Sequence, residues 1–154
     1  MNEMNWCKDK RKGLKLTEPS ENLSEAYFEK AEDSLAVMNS LDSPDWIIST
    51  GYYSMYYSLY AVLMKVGVKS EIHICTIAFM KECLRDFFSE EEAERMDKAR
   101  LMRVQSQYSV TREFSSSQAE KIATAAPLFL LKCRDVCDKM THPDMEKIRK
   151  KMAD

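Results

Sequence analysis

Turn residues are scarce in this chain. Its 154 residues include 3 Gly and 4 Pro, too few for the many tight turns of a β-rich fold. It has no Gly-rich phosphate loop, no nucleophile elbow and no paired Cys/His spacing of the metal-ligand kind, so the motif-borne chemistries are excluded and no metal or cofactor is expected. Histidine is limited to His73 and His142, and a His at a helix boundary is more often a cap or a surface residue than a catalyst. The formal net charge of −2 excludes a strongly basic nucleic-acid binder. The N-terminal stretch MNEMNWCKDKRKG has no apolar core of a secretory leader. The 5 Cys are odd in number and show no disulfide-like spacing, which predicts a reducing, cytoplasmic setting. Cys133 and Cys137 share a helical face, as small buried residues or as a metal or redox pair.

Charge is also missing locally. The run from Trp46 to Met64, WIISTGYYSMYYSLYAVLM, contains no charged side chain. Its Tyr52, Tyr53, Tyr56, Tyr57 and Tyr60, with three Ser and Thr50, make it too polar for a membrane span. It reads as the central helix of a bundle, with tyrosine bodies dry and hydroxyls paired. The five tyrosines fall on one broad face, predicted to pack against the first, fourth and fifth helices.

The remaining pattern is helical, and it contains no period-two alternation or internal repeat. A first helix is predicted from Ser20–Asn22 to about Leu41, with Leu23, Tyr27, Ala31, Leu35 and Met38 on one stripe. Ser43 and Pro44 open the second, which ends at Gly67. A third is expected from Ile72 to Phe87. The fourth starts at Ser89, with Glu92 three residues on as a capping box, and runs to Tyr108. The fifth is expected to open at Ser117 with Glu120, to bend at Pro127, and to carry a seam of Ile122, Ala126, Phe129, Cys133, Val136 and Met140. The fold class is all-α, an antiparallel up-and-down bundle of four to five helices. Residues 1–18 read as a basic N-terminal arm, 19–142 as the bundle and 143–154 as a C-terminal tail. The first 16 residues carry about +3 and the last 11 about +1, leaving about −6 on the body. Such ends are solvated termini or arms that could reach a phosphate backbone.

Several segments, in order, resemble the HEPN family, the "higher eukaryotes and prokaryotes nucleotide-binding" helical domain, and above all its small single-domain archaeal and bacterial members. YFEKAEDSL resembles the family's first helix. DWIISTGYYSMYYSLYAVLMKVGVKS looks like its second, and EIHI is similar to the Ser-His start of its third. ARLMRVQSQYSV is similar to the Arg-x-x-Ala-Asp-Tyr segment, and SSSQAEKIATAAPLFL resembles the fifth-helix start. The resemblance covers about Asn22 to Met140. It implies a homodimer, a minimal nucleotidyltransferase as partner in a toxin–antitoxin pair, association with a nucleotide or RNA, and no membrane. The active toxins of the family are metal-independent ribonucleases with an Arg followed four to six residues later by a His.

Here Arg103 matches the Arg, but Gln107 and Tyr108 stand where many non-toxin members have Asp-Tyr. Tyrosine, with an ordinary pKa near 10, is a poor proton shuttle at neutral pH. The reading is a non-catalytic HEPN-type binding and interaction module, with Arg103, Gln107, Tyr108 and His73 as ligand-binding candidates and no catalytic residue. The alternatives are a ribonuclease toxin with a divergent site, using Arg103 with His73 brought near by the fold, and a purely structural helical oligomer. On the structural alternative, Tyr108 lies with Leu101 and Val104 on the inner face of the fourth helix. Arg103, about 140° away around that helix, lines the bundle edge or a dimer seam.

Overall fold

In the structure, a computed structural model, residues 2–108 and 114–154 are described. Among the described residues, seven helices and one short two-stranded ladder follow in chain order: α1 (Glu3–Asp9), β1 (Lys15–Leu16), α2 (Glu21–Asn39), α3 (Pro44–Val66), β2 (Val68–Lys69), α4 (His73–Cys83), α5 (Glu90–Tyr108), α6 (Ser116–Lys139) and α7 (His142–Ala153). The fold is an all-α bundle built around α3, which packs on α2, α6 and α5.

Local chemistry sets the helix ends. Ser20 Oγ accepts the Leu23 N–H, the N-cap bond of α2. Pro44 occupies the first turn of α3, and Gly67 ends it at φ 90°, a left-handed conformation open to glycine. Ser89 and Glu92 cap α5 reciprocally. α6 opens two residues before the expected point, because Ser115 and Gln118 form the capping box in place of Ser117 and Glu120. α4 stops at Cys83, short of Phe87. The chain then turns, with the Phe87 and Phe88 N–H groups both donating to the Leu84 carbonyl.

The α6 seam is as expected: Ile122, Ala126, Phe129, Cys133, Val136 and Met140 are all buried. Cys133 and Cys137 are free, buried thiols. Burial pushes both upward in pKa, Cys137 to about 11, and among the described residues no cluster could hold a metal ion. On α2 the buried stripe is Ser24, Phe28, Ala31 and Met38, while Leu23 is exposed. Gly51 lets α3 approach α6, since a Cβ there would collide with Ile122 Cγ2.

Both termini are structured, unlike the expected solvated arm and tail. Leu14 and Cys7 of the first segment are buried, as are Ile148 and Met152 of the last. β1 pairs antiparallel with β2, Lys15 opposite Lys69 and Leu16 opposite Val68. The ladder is too short to register as alternation in the sequence. Arg149 of α7 spans the two ends of the chain. Its Nη1 donates to the carbonyls of Thr17 (2.8 Å), Val66 (3.2 Å) and Gly67 (2.7 Å).

Cys7 and Cys75 form a disulfide across a sequence separation of 68. This corrects the expectation drawn from cysteine number and spacing. The β1–β2 ladder and the packing of α1 on α4 bring the pair together, and neither shows in linear spacing. The bond removes the support that cysteine usage gave to a reducing compartment. No described helix is long and apolar enough to cross a membrane.

Candidate functional site

Three buried tyrosines of α3 direct their hydroxyls toward α4 and the segment that leads into it. Tyr52, Tyr56 and Tyr60 are buried, and each hydroxyl meets a partner in α4 or the segment leading into it. Tyr52 Oη lies 2.8 Å from His73 Nδ1 and Tyr56 Oη 3.0 Å from Thr76 Oγ1, while the Ser70 N–H donates to Tyr60 Oη at 3.1 Å. The helix as a whole packs on α2, α5 and α6, the expected first, fourth and fifth helices, with Tyr60 against Tyr27 of α2 and Tyr52 against Arg103 of α5; the hydroxyl partners in α4 and its leading segment come in addition. Tyr53 and Tyr57 lie at the margin of the tyrosine face and are part-buried.

His73 is the first residue of α4. Its ring lies flat on Tyr56, with centroids 3.8 Å apart and planes 7° from parallel. Burial lowers its pKa to about 4, and the guanidinium charges of Arg103 and Arg100 add to the shift. The imidazole is therefore neutral at pH 7. Nδ1 is held by Tyr52. Nε2 has no partner among the described residues and is not a buried atom, so it reaches solvent. Burial raises the Tyr52 hydroxyl far above the ordinary tyrosine value, which keeps it protonated in this pair.

Arg103 approaches from α5. Ala93, Met96 and Ala99 form the buried stripe of that helix, and Arg103 continues it one turn on. Its Cζ stands 5.4 Å from the Tyr52 ring centroid and 5.5 Å from that of Tyr53, a cation held on two aromatic faces. Nη1 donates to Gln107 Oε1 at 2.9 Å and to Tyr53 Oη at 3.4 Å. Every one of these partners is neutral. Arg103 makes no ion pair among the described residues, and its Nε is buried without a hydrogen bond. Arg100, one turn earlier, is neutralised by Asp97 at 3.0 Å.

Of the four residues singled out in the sequence, three come together. His73 and Arg103 share Tyr52 as a neighbour, and Gln107 is tied to Arg103. Tyr108 is not part of the group, being 77% exposed at the end of α5. The inner-face placement of Tyr108 and Leu101 is corrected, since Leu101 is also exposed. The wetted and buried sides of α5 are set by Ala93, Met96 and Ala99, which carry Arg103 inward and turn Tyr108 out. Sequence reasoning passed over Tyr52 and Tyr53 as site residues, and Arg100 too. The i−3 spacing of Arg100 from Arg103 was the available signal for the latter.

Comparison with known proteins adds two findings. The model of a family described as "HEPN domain" matches residues 24–136, a stretch that contains the whole Arg103 and His73 site. A "UPF0332 protein" of Archaeoglobus fulgidus is similar to this chain, with 30% identity over 92 residues, covering 59% of this chain and 74% of that protein.

Proposed function

The chain belongs to the HEPN family, and from that premise we propose that it is a binding module whose Arg103 cleft receives a phosphate group of a nucleotide or RNA. The observation that carries this reading is the uncompensated guanidinium. Arg103 is part-buried, its protein partners are neutral, and one N–H is orphaned. A desolvated cation in that state gains from an anion that fills its donors, and phosphate matches its fork geometry.

Binding is favoured over catalysis. A proton shuttle works best with a pKa near the working pH. His73 at about 4 is a weak base at pH 7 and lacks the imidazolium proton that a general acid donates. The divergent ribonuclease remains as the second reading, supported by the fixed Nδ1 and solvent-facing Nε2 beside Arg103. A homodimer and a minimal nucleotidyltransferase partner complete the proposal. Leu128 and Leu131, each 62% exposed on α6, support the former.

The experiment is binding and cleavage of mixed RNA by the wild type and by Arg103→Ala. A lost charge-assisted contact predicts an affinity about 10- to 100-fold weaker for the variant, with no cleavage by either protein. Robust cleavage by the wild type, abolished by Arg103→Ala and by His73→Gln, would promote the ribonuclease. Unchanged RNA affinity in Arg103→Ala would remove the phosphate site.

A further inference from the structure

Beyond Arg103, a line of aromatic faces continues across the surface between α3 and α2. Tyr53 and Tyr57 stack at 6.0 Å with planes 28° apart. Tyr57 then meets Tyr27 of α2 at 6.1 Å. All three rings are part-buried. At the far end Lys30 Nζ stands 4.9 Å from the Tyr57 centroid and 5.9 Å from that of Tyr27.

Lys30 is the second uncompensated cation of this face. Like Arg103, it forms no ion pair among the described residues. The Tyr57 hydroxyl makes no hydrogen bond to a described residue and is not a buried atom. A shallow groove of about 290 Å³ opens beside the rings, lined by Asp33, Ser34, Val37, Thr50, Tyr53 and Tyr57. Asp33 is its one acid, and it pairs with no cation among the described residues. The order along the surface is therefore cation, aromatic, aromatic, cation.

We propose that this tyrosine ladder is a base-stacking subsite for single-stranded RNA. One base lies against Tyr57 and Tyr53, its flanking phosphates directed to Arg103 on one side and Lys30 on the other. The proposal rests on the phosphate reading of Arg103 and adds what the cleft alone lacks, a surface that distinguishes a nucleotide chain from a bare phosphate. Aromatic faces accept any base, whereas the backbone charge is read by the cations. Such a site is tolerant of sequence and sensitive to salt.

The test uses the full chain and three probes: a short end-labelled single-stranded RNA, its abasic ribose-phosphate counterpart, and inorganic pyrophosphate. Tyr57→Ala is expected to weaken RNA binding roughly 5- to 150-fold, the range for loss of one base–aromatic stack. It should leave the abasic and pyrophosphate probes unchanged, and Tyr57→Phe should retain RNA affinity. Lys30→Ala, an exposed change that leaves the core alone, should lower the salt dependence of RNA binding by about one phosphate contact. If Tyr57→Ala binds RNA as the wild type does, or loses equal affinity for the abasic chain, the stacking subsite is wrong while the Arg103 site stands. If Lys30→Ala leaves the salt dependence unchanged, the second phosphate position is wrong. If the wild type binds none of the probes, both readings fall.

Discussion

The titration of His73 gives the most direct check on the site. In the unfolded chain its imidazole takes up a proton near 6.5, and in the folded one only near 4. Between those values the unfolded state binds more protons. The stability that depends on a neutral His73 is therefore complete above about pH 6.5, declines as pH falls through that window, and is gone below about 4. Expressed in full, the displacement corresponds to about 3 kcal/mol. His73 is part-buried, and solvent screens the Arg103 and Arg100 charges, so a loss of about 1–2 kcal/mol is expected. The assay is urea denaturation of the wild type and His73→Gln at neutral pH and near pH 4.5. The variant loses the Tyr52 contact at every pH, so only the change in the difference between the two proteins reports the titration. Imidazole proton resonances give the midpoint directly, and His142→Gln assigns the signal, since there are 2 His. Arg103→Gln should raise the midpoint only part of the way, because burial is the larger cause. A midpoint near 6.5 in the wild type, or parallel pH profiles for the two proteins, would refute the placement of His73 under Tyr52 and Arg103.

Two further outcomes are expected. The Cys7–Cys75 bond closes a long loop, so Cys7→Ser or a dithiol reductant should lower stability by about 2–4 kcal/mol; denaturation midpoints that do not move with reductant would show that the bond is not formed in solution. Light scattering at tens of micromolar should give the mass of a dimer, and a monomer mass would remove the homodimer from the proposal.

Much of the helical layout was legible because it is written in local chemistry. Ser20, Ser89 with Glu92, and Pro44 with Gly67 mark ends by bonds made within a few residues, and the α6 seam repeats at the helix period. The site was only half legible. Arg103 and His73 stood out as residue types, but their shared neighbour Tyr52 is 21 residues from His73, and a helix face says nothing about which partner it meets. The placement of Tyr108 failed because residues 93, 96 and 99 of α5 are small or flexible apolar groups. They weigh little in a hydrophobic pattern yet fix which way the helix faces. The disulfide and the β1–β2 ladder are long-range pairings with no local signature, and the terminal helices are too polar overall to announce a core contribution.

The reach of Arg149 bears on what counts as a unit here. Homology marks out residues 24–136, yet the carbonyls closing the C-terminal end of the central helix receive their donor from residue 149, and the same side chain holds Thr17. Both contacts lie partly or wholly outside the homologous stretch. A cut at the homology boundaries would strip the last turn of α3 of these hydrogen bonds in one stroke, together with the buried side chains of Cys7, Leu14, Ile148 and Met152. The extent of sequence shared with relatives and the extent of chain that holds itself together are two different lengths in this protein, and a single guanidinium spans the difference between them.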